Sequence, residues 1–260
     1  MLAAGKRGVR GEHETNMAHN IQSFRLAVAY VLDCGVQQAP AIARQAKRFL
    51  CFLLFAFTLG PQSGVAADDA ELVAQLRNGG YTLYFRHVAT DWSEQDRVSK
   101  AGDWLSCNDA KMRQLSDSGR ADARRIGEAI RSLGIPVGEV LASPYCRTME
   151  TAKLFDVGPV IQSSDVMNLR SAGYFGGRDK IIARARRLLA TLPAAGANRI
   201  VIGHGNVARE ATPVYPEEGE GVVFRADGKG GFGVIARIPP QRWRRMLELG
   251  RPDQGDSIKR

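Results

Sequence analysis

The sequence predicts an α/β fold in which a parallel or mixed sheet is covered by helices. Three observations carry this. Short apolar runs at 81–85, 140–142 and 199–202 alternate with longer stretches whose apolar residues recur at helical spacing. Glycine and proline punctuate the junctions. Two of the runs end in a histidine: Tyr81-Thr82-Leu83-Tyr84-Phe85-Arg86-His87 and Ile200-Val201-Ile202-Gly203-His204-Gly205. A strand that ends in a reactive side chain places it at the carboxyl edge of a sheet, where open α/β folds bind ligands.

The elements follow in order. Residues 72–77 read as a short leading helix, stopped by Asn78-Gly79-Gly80, and 81–85 as the first strand. Residues 91–114 are polar and irregular, a long loop expected over the site. Ser116 is the expected N-cap of a helix that reaches about Leu133, with Ala123, Ile126, Ala129, Ile130 and Leu133 on one face. Gly134-Ile135-Pro136 ends it. A short strand at 140–142 leads into Ser143-Pro144-Tyr145, which opens a helix with Pro144 in its first turn. Cys146 and Arg147 stand at the start of that helix, which continues to about Phe155. A brief strand at 160–161 follows. Ile181, Ile182, Ala185, Leu188 and Leu189 mark another helix, with Arg184, Arg186 and Arg187 on its solvated face. Residues 199–202 read as a central strand. Runs at 222–224 and 232–238 flank Asp227-Gly228-Lys229-Gly230-Gly231 as a hairpin, and 241–249 closes the chain as a helix. There is no internal repeat.

Residues 1–66 do not read as fold. Arg44, Lys47 and Arg48 precede an uncharged apolar run of 11 residues, 49–59, and the small residues Gly64-Val65-Ala66-Ala67 follow. Basic flank, short apolar core and small-residue site make the order of a secretory signal peptide, cleaved after Ala66 or Ala67. The run falls short of the roughly 20 apolar residues of a spanning helix. The expectation is therefore a leader at 1–66 and one domain at 67–260, periplasmic or secreted, with no stable membrane insertion after cleavage. A stretch of 48 residues before the apolar core exceeds the usual length, which a start downstream of Met1 explains.

Composition narrows the partners. The whole chain has a formal net charge of +9, but residues 1–66 hold seven Lys/Arg and three Asp/Glu, leaving 29 basic and 24 acidic residues beyond. That mild excess suits a small anionic substrate. It is too diffuse for nucleic acid, and no basic run is interleaved with aromatics. Cys107 and Cys146 are the two cysteines beyond the leader, and in an oxidising compartment they are expected to pair. Oligomeric state is not legible.

Three strand ends converge on phosphate chemistry. A phosphoryl group calls for guanidinium donors, whose planar fork matches its oxygens, and it gains from a helix N-terminus. Arg147, just inside a helix, offers both. Arg86 adjoins His87, a candidate nucleophile, and His204 stands ready to donate to the same oxygens, with glycine neighbours that allow close backbone approach. Cys146 fails the pattern of a cysteine phosphatase, because Ala152 stands where Cys-x5-Arg requires arginine. Two histidines without a His-Glu-x-x-His cluster fall short of zinc ligation, so no metal and no cofactor are expected.

The motifs resemble those of the histidine phosphatase superfamily, the phosphoglycerate-mutase-like proteins. Phe85-Arg86-His87-Val88-Ala89-Thr90 is similar to its Arg-His-Gly-x-Thr motif, and Leu115-Ser116-Asp117-Ser118-Gly119-Arg120 to its Leu-(Ser/Thr)-x-x-Gly. Ala142-Ser143-Pro144-Tyr145-Cys146-Arg147-Thr148 resembles Ser-Pro-x-x-Arg-(Ala/Thr), and Ile202-Gly203-His204-Gly205 the second histidine motif. All four stand in the family's order. The segments around Cys107 and Cys146, with Glu218-Gly219-Glu220, look most like secreted bacterial members. Val88 and Ala89 depart from the first motif, and 165–178 lacks the mutase pattern Glu-x-x-x-Gly-x-x-x-Gly.

The resemblance implies a three-layer α/β/α sandwich with a mostly parallel central sheet. It implies an exported phosphomonoesterase acting through a phosphohistidine on His87, with Arg86, Arg147 and His204 holding the phosphoryl oxygens. Thr90 and Asn206 are expected to touch the substrate, although Asn206 would equally serve as a helix cap. A carboxyl must protonate the leaving alcohol: Glu218 is the first choice, with Glu220 and Asp91 next. The alternative is a non-catalytic module of the same fold that binds phosphorylated ligands.

Overall fold

The computed structural model describes residues 64–249, and the leader reading for 1–63 lies outside the described residues. Nine longer elements are named here in chain order: α1 (Gly64–Arg77), β1 (Thr82–Arg86), α2 (Asp117–Ser132), β2 (Val137–Ala142), α3 (Cys146–Phe155), β3 (Val160–Gln162), α4 (Arg178–Ala190), β4 (Asn198–Gly203) and α5 (Gly205–Ala211). They are followed by β5 (Gly221–Ala226), β6 (Phe232–Ile238) and α6 (Pro240–Leu249). The six strands form one sheet in the order β3-β2-β4-β1-β5-β6. Strands β1 to β4 run parallel, while β5 is antiparallel to β1 and β6 to β5. The alternating pattern predicts a parallel or mixed sheet, and the sheet is mixed and mostly parallel, as the resemblance implies.

The apolar residues sort onto two faces because side chains alternate along a strand. Leu83 and Phe85 of β1 and Ile200 and Ile202 of β4 face one core, built with Leu76 of α1, Ile126 and Ile130 of α2, Phe155 of α3 and Trp243 of α6. Tyr84 and Val201 face the other, with Ile181, Ala185 and Leu189 of α4 and Val207 of α5. β1 and β4 are buried along their whole length, so both read as near-continuous apolar runs. None of the helices among the described residues is long and apolar enough to cross a membrane.

Several boundaries move. α1 begins at Gly64, eight residues before Leu72. Its first half lacks apolar periodicity but is rich in alanine, a strong helix former, and Asp69 is buried in ion pairs with Arg242 and Arg245 of α6. The Ser116 hydroxyl does cap α2, accepting the Gly119 N–H at 3.1 Å. Pro144, by contrast, precedes the α3 cap, Tyr145, instead of sitting in the first turn. Arg184 and Arg186 are less free than a solvated face suggests. Arg184 lies 3.4 Å from Asp165, and Arg186 donates to the Glu210 and Ala211 carbonyls.

The segment 91–114 is a loop, as its composition indicates, broken only by the 3-10 turn Asp103–Leu105. It is a compact one. Its base is closed by the Thr90–Leu115 bridge and by the Asp91 N–H to the Gln114 carbonyl at 3.1 Å. Higher up, the Arg97 N–H donates to the Lys111 carbonyl at 2.9 Å. A disulfide joins Cys107 to Cys146, with Cα atoms 5.3 Å apart. The bond thus ties the loop to the first residue of α3. It spans 39 residues, for which the chain-entropy account gives about 4 kcal/mol as an upper figure. Replacing both cysteines by serine is expected to lower the unfolding free energy by about 2–4 kcal/mol. Urea titration of oxidised wild type against the double variant checks this, and an unchanged midpoint would contradict it.

Candidate active site

β1 and β4 are neighbours, with Arg86 opposite Gly203 in register. His87 and His204 are each the next residue, so both rings leave the same carboxyl edge of the sheet. Their centroids lie 5.6 Å apart. β2 adjoins β4 on the other side, and the turn after it delivers Arg147 to that edge in the first turn of α3. Arg86, His87, Arg147, His204 and Asn206 therefore line one cleft of about 160 Å³. The 91–114 loop adds Trp92, Asp96 and Arg113, and Asn168, Arg170 and Tyr215 complete the wall.

His87 is fixed by its own backbone neighbour. Nδ1 lies 3.0 Å from the Val88 carbonyl oxygen, which can only accept, so Nδ1 carries the proton and Nε2 keeps its lone pair. His204 is gripped at the main chain: its N–H donates to the Tyr84 hydroxyl, which donates in turn to the His204 carbonyl, both at 2.9 Å. Its Nε2 sits 2.9 Å from the Ser143 hydroxyl, and its buried Nδ1 has no protein partner. The glycines around His204 serve the protein's own side chains. A Cβ on Gly203 would strike the Tyr84 hydroxyl, and one on Gly205 would meet the Tyr215 ring at 2.7 Å. The close approach expected here is thus of tyrosines to the backbone.

Burial and positive neighbours act together on the imidazoles. Desolvation, then the Arg147 charge, hold His87 well below the ordinary histidine range, against the opposing bond to Val88. Burial and then Arg147 do the same to His204. Both rings are neutral at pH 7, as a nitrogen nucleophile requires. The linkage sign follows: below about pH 6.5 the unfolded chain binds protons at these histidines that the folded chain refuses. Stability is therefore full above that pH and falls as the pH drops toward the depressed values. Denaturant unfolding at pH 7.5 and 5.5 is expected to show the loss, and a variant with both histidines changed to asparagine is expected to show less of it. Equal pH sensitivity of the two proteins would contradict this.

The guanidinium groups differ in company. Arg86 is 8% exposed. It lies 3.3 Å from Glu218 Oε1, donates to the Pro216 carbonyl at 3.3 Å, and has its charge 5.6 Å from the Tyr215 ring centroid. Arg147 is 1% exposed and paired with Asp96. Arg113 stacks 3.9 Å over Trp92, and burial followed by the Arg147 charge lowers its pKa.

The expected carboxyls separate cleanly. Glu218 does not line the cleft itself but lies directly behind it: beside its contact with Arg86 it is 4.0 Å from His87 Nδ1 and accepts from the Thr90 N–H, the Thr90 hydroxyl and the Trp92 indole N–H. Glu220 is committed to Arg237, with both oxygens at 2.7 Å from guanidinium nitrogens, and does not line the cleft. Asp91 is exposed and bonds Ser93 in its own turn. Thr90 does not line the cleft, and its hydroxyl donates to Glu218 at 2.9 Å. Asn206 donates to Asn168 Oδ1 at 2.9 Å and makes no cap for α5, whose cap residue is His204. Sequence reasoning missed Trp92, Asp96, Arg113, Asn168, Arg170 and Tyr215 in the wall, and Tyr84 and Ser143 behind His204. For Tyr84 a signal existed: it is an aromatic with a polar tip at the centre of β1, on the face shared with Arg86 and opposite Leu83 and Phe85.

Two neutral imidazoles, four guanidinium groups and the Asp96 carboxylate thus meet in one cleft at the carboxyl edge of an α/β sheet, with a net excess of positive charge. A sequence comparison finds one similarity: residues 83–186, two-fifths of the chain, match the model of the Histidine phosphatase superfamily (branch 1). No curated protein matches the chain. Among solved structures, the protein histidine phosphatase SixA complexed with tungstate is similar at 15% identity and a TM-score of 0.44, over 62% of this chain and 97% of that one. The product of the open reading frame Rv3214 from Mycobacterium tuberculosis is similar at 18% identity and 0.42, over 62% and 97%. The ecdysone phosphate phosphatase of Bombix mori in complex with tungstate stands at 16% and 0.39, over 62% and 93%.

Proposed function

We propose that this protein is a metal-independent phosphomonoesterase that works through a phosphohistidine on His87. The observation that carries the reading is the shared cleft: a neutral His87 with Nδ1 fastened to Val88, facing the same space as Arg86, Arg147 and His204. In the first step His87 Nε2 attacks phosphorus, the Nε2–P bond forms and the ester P–O bond breaks. The leaving oxygen takes a proton from Glu218, the expected carboxyl that lies beside both Arg86 and His87. In the second step Glu218 takes a proton from water, whose oxygen attacks phosphorus and releases phosphate and neutral His87. Arg86, Arg147 and His204 hold the remaining oxygens as charge redistributes. Arginines supply that charge, so the scheme needs no metal ion.

Tyr84, with its phenol pushed up by burial, stays neutral and holds the His204 backbone through both its bonds. The substrate is a small phosphate monoester. We further propose export: a leader at 1–66 ends in the first turn of α1, and a Cys107–Cys146 bond persists in an oxidising compartment. The test is hydrolysis of p-nitrophenyl phosphate in EDTA. Turnover is expected, and its absence together with intact phosphate binding would leave a binding module.

A further inference from the structure

A guanidinium has two edges able to take an anion side-on, the Nη1/Nη2 edge and the Nε/Nη2 edge. In Arg147 the first is occupied. Asp96 accepts from Nη1 at 2.8 Å and from Nη2 at 3.0 Å. The second is unpaired at Nε, which is buried and has no protein partner, in a residue that lines the cleft. Asp96 is itself held firmly. Its side chain is 4% exposed, and it accepts the Arg113 backbone N–H at 3.2 Å. Glu94, two residues before it, accepts the Gln114 N–H at 2.6 Å. The disulfide then anchors the same loop to the residue beside Arg147. This carboxylate belongs to a fixed frame. To leave Arg147 it would have to abandon a buried charge, which is costly.

Building on the phosphatase reading, we propose that Asp96 is a positioning residue: it clasps the end of Arg147 and leaves the Nε edge for the substrate phosphate. It acts through Arg147 and does not touch the reacting atoms. The opposite assignment, a carboxylate that occupies the phosphate position until substrate displaces it, predicts the reverse effect on affinity.

The experiment is a double-mutant cycle on the full chain, with Asp96→Asn, Arg147→Ala and both together. Inorganic phosphate binding is measured by calorimetry, kcat/KM on p-nitrophenyl phosphate in EDTA, and folding by thermal unfolding. Asp96→Asn is expected to weaken phosphate about tenfold or more and to lower kcat/KM in proportion. In the Arg147→Ala background it is expected to weaken phosphate no further. A general loss of structure would not be confined to the background that keeps Arg147. Tighter or unchanged binding by Asp96→Asn overturns the proposal, as does an equal loss in both backgrounds. Should Asp96→Asn fail to fold, Asp96→Glu keeps the charge but misplaces the clasp, and wild-type phosphate affinity in that variant overturns the proposal as well. Wild type that binds phosphate without turnover defeats the esterase reading alone, and the binding cycle still decides the role of Asp96.

Discussion

His87→Ala is expected to abolish turnover of p-nitrophenyl phosphate, lowering kcat by about four orders of magnitude or more. The size of the effect follows from covalent catalysis. Without Nε2 no intermediate forms, and water would have to attack in a cleft built for a ring nitrogen. The loss should not come from unfolding. His87→Asn offers an amide donor for the Val88 carbonyl, which His87 Nδ1 now satisfies at 3.0 Å, so that variant keeps the local bond while losing the nucleophile. Both variants are expected to bind inorganic phosphate, because Arg86, Arg147 and His204 remain. Turnover in either variant above a hundredth of wild type would remove His87 from the role.

Arg147 carries the second largest effect. Its replacement by lysine is expected to lower kcat/KM by about two to three orders of magnitude, since a point charge cannot reproduce the fork that meets phosphate oxygens. Arg147→Ala is expected to cost more. It also strips the buried Asp96 of its ion-pair partner, which destabilises the fold by about 3–5 kcal/mol. Kinetics and urea unfolding on the two variants separate these effects: lysine keeps a charge beside Asp96 and should lose less stability than alanine, while both lose activity. Comparable kcat/KM in wild type and Arg147→Lys would show that the fork is not used.

The sheet edge was legible because a strand is a local object. Runs ending in His87 and His204 announce which side chains emerge at the carboxyl edge, and the parallel pairing of β1 with β4 makes them neighbours. Helix starts were legible where a hydroxyl does the capping, as at Ser116. They were less so where tertiary contacts decide, as in α1, whose first half leans on ion pairs to α6. The site wall was half hidden for the same reason. Asp96 and Arg147 are 51 residues apart, and nothing in an irregular loop says which of its acids will fold inward. The choice among Glu218, Glu220 and Asp91 depended likewise on distant partners. Arg237 claims Glu220, Ser93 claims Asp91, and Glu218 alone of the three reaches His87. Thr90 resembled a substrate contact by position in its motif, and the fold gave its hydroxyl to that same carboxylate.

The central claim is tested most directly by stopping wild-type turnover within milliseconds and locating the phosphoryl group on the protein. The account predicts one label, stable in alkali and lost in acid, on the peptide that contains His87, and none in His87→Asn. Turnover that proceeds with no label on His87, or with the label on another residue, would contradict it.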